Sequence, residues 1–468
     1  MKKILLTVLL VLLVTFMLAG VLEESNELAN SINLTNVPWM AGVNQYFVDL
    51  QENTGISNLN SLNLKVNKYK FLPDSFISKK LNANKLTTND DVLWSSKYVY
   101  SYNGDTLPSA FIQIHSPIKN QGSHGTCWAF STIASLESAM LVQKSDLNPT
   151  DTASPVVDQD STYDFSEQYM AYHDVDWDLL AATGYETMQE ANTDVGGNVY
   201  FSSYNLIRYG YVDESAMPYS AYDGNKEISW NAKSNWNSTL KREVQKTIYL
   251  PGYKYNEQSY SDYINSIKEA LKRYGALSVS YSVPNDFGVY IGGVYVPSDS
   301  FAKYTGGHAV TLVGWMDMAT LKQQTYSGTT TTWVSSDATC VKWNDPITGK
   351  NVESTEFWLI KNSWGTSWGW DGYFLVPIAT KEQFDNKEIE RWMIENNSMY
   401  VPVYQKASTA VTDFDNDGDT DIDDYNALKT AIENYLKDKT YDAKYDISDP
   451  KDGRLDGNDM EMFFQKNK

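Results

Sequence analysis

Gln121-Gly-Ser-His-Gly-Thr-Cys127-Trp-Ala-Phe130 is the stretch on which the reading of this chain turns, because it sets a side-chain amide six residues ahead of a cysteine. The 468 residues contain only Cys127 and Cys340, so the thiols do not form a disulfide framework and each needs its own explanation. A lone cysteine is commonly a small buried hydrophobe. Cys127 has a different setting. From Cys127 to Leu141 the apolar residues Trp128, Ala129, Phe130, Ile133, Ala134, Leu136, Ala139, Met140 and Leu141 recur at helical spacing, after loop residues Gly122 and Gly125. The cysteine therefore falls in a first helical turn, where unpaired N–H groups and the helix dipole favour thiolate over thiol.

A thiol nucleophile needs an imidazole partner, and the chain offers four: His115, His124, His173 and His308. The first three lie in loop-like or polar surroundings. His308 follows Gly306-Gly307 and leads into Ala309-Val-Thr-Leu-Val-Gly-Trp315, a β-rich run that would hold the ring at a strand start. Further on, Phe357-Trp-Leu-Ile-Lys-Asn362-Ser-Trp364-Gly reads as a strand followed by an amide and an indole. Asn362 can accept the imidazole N–H and fix its tautomer, and Trp364 can shield that bond from water.

Gln121…Cys127-Trp-Ala-Phe, Gly307-His308-Ala-Val and Lys361-Asn362-Ser-Trp-Gly together resemble the papain family of cysteine peptidases, over about residues 107–399. The resemblance implies an α+β fold of two lobes, a helical one carrying Cys127 and a β-barrel one carrying His308 and Asn362, with the cleft between them. It implies a Cys127 nucleophile, a His308 acid and base, an Asn362 that orients the ring, and an oxyanion hole built from the Gln121 amide and the Cys127 N–H. It also implies substrate contacts at Trp364 and at Gly196-Gly197, where the missing Cβ lets an extended peptide approach the backbone. Residues 264–274 read as a helix ended by Gly275, followed by a strand over 276–281. His124 stands where many relatives carry a disulfide cysteine, which places the chain in a disulfide-free microbial branch. The Cys127 to His308 and His308 to Asn362 intervals are long, so insertions are expected around 142–163 and 316–355, the second containing Cys340.

Residues 1–20, with Lys2, Lys3 and an apolar run from Ile4 to Gly20, read as a signal peptide, with an uncleaved membrane anchor as the alternative. Residues 21–106 are too few for a second large enzyme domain. Within them Trp39-Met-Ala-Gly-Val-Asn-Gln-Tyr-Phe47 resembles a motif of cathepsin B-like propeptides, so the segment reads as propeptide-like and the peptidase domain as 107–400.

Residues 401–468 change character. Between 411 and 468 there are 16 Asp and Glu against 8 Lys and Arg. Asp413, Asp415, Asp417, Asp419 and Asp424, with Gly418, fall at calcium-loop positions, and Asp446, Asp452, Asp456 and Asp459 form a looser second loop. Each is followed by a helical pattern, the first over 425–436. The duplicated unit resembles a dockerin, which implies structural calcium and a cohesin partner on a scaffold.

A net charge of −21 and a pI near 4.6 exclude nucleic acid as a partner, since phosphates require a basic face. The sequence thus predicts a secreted cysteine peptidase acting on polypeptides, tethered through its tail. The alternative is a non-catalytic peptide-binding or scaffold component.

Overall fold

The computed structural model describes residues 22–35, 37–54, 100–144, 159–173, 196–221, 228–253, 258–298, 304–326, 329–344, 349–382, 393–404, 414, 422–447 and 454–466. The chain divides into two compact units, Met1–Tyr404 and Gln405–Lys468.

The first unit mixes helix and antiparallel sheet, as the α+β expectation requires. Its strands are β1 (Trp39–Ala41), β2 (Phe111–Ile112), β3 (Val244–Leu250), β4 (Leu277–Pro284), β5 (Tyr290–Gly293), β6 (Tyr304–Asp317), β7 (Val341–Asn344), β8 (Asn351–Ser354), β9 (Glu356–Lys361), β10 (Tyr373–Pro377) and β11 (Met399–Tyr404). Seven form one sheet in the order β10-β9-β6-β4-β11-β3, with β2 also pairing β6. The helical half holds Cys127–Gln143, Glu167–Tyr172 and Val199–Tyr209.

Residues 127–141 of the first of these helices are all buried, so it is no amphipathic surface helix but an axle between the two halves. Serines make that burial possible. Ser131 Oγ donates to Val310 O at 2.6 Å, Ser135 Oγ to Ala276 O at 2.6 Å and Ser138 Oγ to Ile114 O at 2.6 Å. Their spacing puts three hydroxyls on one face, each donating to a backbone carbonyl outside the helix, so the buried hydroxyls are themselves satisfied. The helix also packs a separate core of Ile133, Leu136 and Met140 against Phe165, Val199 and Leu206.

The second helix of the crossover runs Tyr260–Tyr274, four residues longer at its start than the sequence pattern indicates, because Ser259 caps it by accepting from Asp262 N–H. Gly275 ends it at φ +122, where a Cβ would meet the Ala139 backbone N at 2.7 Å. Only glycine permits that approach.

β1 adds to β5 as a separate two-stranded sheet, Trp39 opposite Gly293. Residues 22–33 and Gln45–Thr54 are helical, and Ala29, Ile32, Trp39, Tyr46, Phe47 and Leu50 join the same core as β4, β6 and β9. Residues 55–99 of the propeptide-like stretch lie outside the described residues, as do residues 1–21. Of the two expected insertions, 145–158 lies outside them too. The second contains the β7–β8 hairpin and Cys340, which is partly exposed; both cysteines are free thiols. Among the described residues no helix is long and apolar enough to cross a membrane.

The second unit packs Phe414, Leu428, Ile447 and Phe463 between the helices Ile422–Asp438 and Gly457–Lys466.

Candidate active site

Cys127 opens its helix with 1% exposure, directly beside the β6 strand that carries His308. Ala309 N–H, one residue past His308, points at the Cys127 sulfur together with the N–H groups of Trp128 and of Cys127 itself. His308 lies inside β6, opposite Tyr281, rather than at its start. Gly306 and Gly307, expected to lie ahead of the strand, pair with Val283 and Ser282 and belong to it.

His308 Nε2 lies 2.7 Å from Asn362 Oδ1, and the Ser363 backbone N–H donates to the same oxygen at 2.9 Å. An oxygen that accepts an amide N–H is correctly assigned as oxygen, so Nε2 must be the donor. That fixes the tautomer and leaves Nδ1 to take a proton. The Trp364 ring stacks on the imidazole at 4.8 Å and 27°, and both His308 and Asn362 are nearly fully buried.

Gln121 is tied to the same loop. Its N–H donates to Ser363 O at 2.8 Å, and its Oε1 accepts from Ser363 Oγ at 2.6 Å. One amide hydrogen goes to His124 O at 2.8 Å, which leaves the second for a substrate oxygen. Ser363, which sequence reasoning missed, therefore holds both the Asn362 oxygen and the Gln121 amide. Its only sequence signal is its place next to Asn362.

Behind this loop lies a charged network. Lys119 Nζ meets Glu137, Asp164 and Glu167 at 2.8 Å each, and Lys361 Nζ donates to Ser116 O at 2.7 Å. Burial raises the Glu167 carboxyl, against the pull of the Lys119 ammonium beside it. Burial brings Lys361 down to about 8.

Gly196, at φ +98, and Gly197 precede the Val199–Tyr209 helix, which Asn198 caps. A Cβ at Gly197 would stand 2.3 Å from the Trp128 ring, so the pair lies against the residue after Cys127. Trp364 has 1% exposure and is covered by Tyr46, whose ring lies parallel to it at 5.3 Å and 4°. Tyr46 Oη donates to Gly122 O at 2.9 Å. Asn44 Nδ2 donates to Gly288 O and Tyr290 O, and Trp39 Nε1 to Val296 O. The Trp39–Phe47 motif thus lies across the edge of the site.

Burial works against the ionisation expected from the helix start. Burial pushes the Cys127 thiol up to about 11, outweighing the three N–H groups that favour thiolate. Burial also brings His308 down to about 4, against the Asn362 hydrogen bond. In this covered arrangement the neutral thiol and imidazole prevail.

Of the tail residues, Asp413, Asp415, Asp417, Asp419 and Asp452 lie outside the described residues, and Asp424 falls on the Ile422–Asp438 helix without a described side chain. Asp446 and Asp459 are buried. Asp446 Oδ2 accepts from Tyr441 Oη at 2.7 Å, while Asp459 accepts from the N–H groups of Ile447 and Asp456 at 2.8 and 2.9 Å. Among the described residues no group of three or more His, Cys, Asp or Glu is set to hold a metal. The donors present are all oxygen, the chemistry a hard divalent cation requires.

Comparison with known proteins follows the same lines. The sequence model of the papain family cysteine protease matches residues 111–168 and 186–392. Cathepsin B-like CP2 of Giardia intestinalis is 25% identical over 351 residues, 74% of this chain and 86% of that protein. Cathepsin B-like cysteine proteinase 3 of Caenorhabditis elegans is 24% identical over 273 residues, 57% of this chain and 58% of that protein. The structure of digestive procathepsin L 3 of Tenebrio molitor larval midgut aligns at 18% identity with a TM-score of 0.46, over 81% of this chain and 87% of that one. Since the family match alone spans more than half of the residues, the chain belongs to the papain family of cysteine proteases and is a cysteine-type peptidase.

Proposed function

We propose that Cys127, His308, Asn362 and Gln121 hydrolyse peptide bonds through a thioester. The observation that carries this reading is the Asn362–His308 hydrogen bond, with the next residue's N–H aimed at the Cys127 sulfur. Once the cleft is uncovered, Nδ1 of His308 takes the thiol proton and the thiolate attacks the peptide carbonyl, forming the S–C bond. The carbonyl oxygen becomes an anion held by the second Gln121 amide hydrogen and the Cys127 N–H. His308 returns its proton to the departing amine as the C–N bond breaks. Water, deprotonated by His308, then attacks the thioester, and the acid and the thiol are regenerated.

The segment up to Thr54 acts as an inhibitory propeptide, a reading supported by Tyr46 on Trp364 and by β1 on β5. Gly196 and Gly197 receive the acyl half of the substrate. The leader directs the chain out of the cytosol. The second unit binds calcium through its acidic loops and docks on a cohesin; the support is the buried pair Asp446 and Asp459 beside a small apolar core. Asp413, Asp415, Asp417, Asp419 and Asp424 would hold one ion and Asp446, Asp452, Asp456 and Asp459 a second, and calcium when bound would neutralise carboxylates that otherwise repel.

The test is cleavage of an unfolded protein by the full chain after processing near residue 107. Cys127→Ala should abolish turnover, as should alkylation of the thiol. Turnover that survives both would remove the mechanism, whereas no turnover by the processed parent would leave a role as a peptide-binding component.

A further inference from the structure

We infer that the leaving-group side of the cleft is a tyrosine-reading subsite built from the face of Trp364 and the carbonyl of Gly122; this rests on the peptidase reading above. His308 must hand its proton to the departing amine, so the departing half of a substrate passes over His308 and onto the ring stacked on it, Trp364. In this chain that place is taken by Tyr46. Its ring lies within 4° of parallel to Trp364 at 5.3 Å, and its hydroxyl donates to Gly122 O at 2.9 Å.

Both recognition elements belong to the enzyme and are rigid. Gly122 sits at φ +58, and a Cβ there would meet Ala221 O at 2.1 Å, so its conformation and the direction of its carbonyl are fixed. The Gly122 N–H is held by Asn120 Oδ1 at 2.8 Å. Trp364 is held edge-on by Phe287 at 5.6 Å and by Trp368 at 5.1 Å. When the Trp39–Phe47 segment leaves, the slot retains an aromatic face and a carbonyl oriented at phenol distance from it. A side chain that restores both contacts is a phenol. A phenylalanine restores one and an alanine neither.

The experiment is a peptide series cleaved by the processed full chain, with a constant acyl half and Tyr, Phe, Ala or Asp in the first two positions after the scissile bond. Tyrosine should raise kcat/KM about tenfold over alanine, with phenylalanine between them. A second readout is acyl transfer, in which an added amine replaces water in attacking the thioester, giving an amide and the free thiol. Tyrosinamide should capture the acyl group about tenfold better than alaninamide. Equal rates and equal capture would overturn the subsite while leaving the peptidase reading standing. Absence of turnover on every peptide would overturn both.

Discussion

At the scale of single residues, the His308–Asn362 bond fixes which imidazole nitrogen is free, and removing it releases the ring. Asn362→Ala should lower kcat about 10 to 100-fold with a smaller change in KM, the loss expected when a proton carrier is misplaced by about 1 Å. Steady-state kinetics on the processed chain measures it. Gly197→Ala sets a methyl 2.3 Å from the Trp128 ring, so it should cost about 1–3 kcal/mol of stability, read by denaturant unfolding. The thiol offers a third check. With Cys127 pushed up to about 11, alkylation of the unprocessed chain should be slow at pH 7 and rise steadily toward pH 11, whereas processing followed by dilution of the cut segment should make it fast near neutrality. Cys127, His308 and Asn362 were legible because each lies in a local pattern: a helix start, a β-rich run, a strand end. Ser363 and Gly122 were not. Their roles come from bonds to Gln121 and Tyr46 that no nearby sequence pattern announces.

At the scale of elements, the helix from Cys127 was readable from apolar spacing, but the burial of its remaining face was not, because Ser131, Ser135 and Ser138 look like solvent positions until their carbonyl partners are in place. β6 begins four residues before His308 for a related reason: pairing with β4 carries the strand over Gly306 and Gly307. The Trp39–Phe47 motif was readable as a propeptide signature, though its fit was not. Trp39, 4% exposed, packs on Tyr290 and Tyr295 at 6.0 and 5.2 Å. Trp39→Ala should remove about 3–5 kcal/mol of packing. The unprocessed variant should then show peptidase activity that the unprocessed parent lacks, measured on a small fluorogenic peptide.

At the scale of the whole molecule, buried histidines and buried carboxyls of the first unit respond to acid in opposite senses. His115 and His308 are buried and neutral, brought down to about 3 and about 4, so their contribution is complete above about 6.5 and is lost as pH falls from there toward 4, while Glu395, pushed up to about 7 by burial, adds stability over the same fall. Calorimetry should therefore show the Tm of Glu395→Gln falling more steeply with acid than that of the parent. The division into two units at Tyr404 lies four residues from the boundary drawn from composition, since the acidic tail differs visibly from the aromatic-rich chain before it. The loop around β5 has a further consequence. Asp286 is buried and accepts from Tyr295 Oη, Ser298 N–H and Ser298 Oγ, each at 2.7 Å, so the loop is braced by its own bonds as well as by the segment it receives. Cutting the chain therefore leaves the receptor intact and turns a tethered inhibitor into a free ligand, whose local concentration falls from roughly millimolar to that of the bulk. Dilution, rather than scission, becomes the step that switches the enzyme on, and specific activity should rise as a freshly cut sample is diluted.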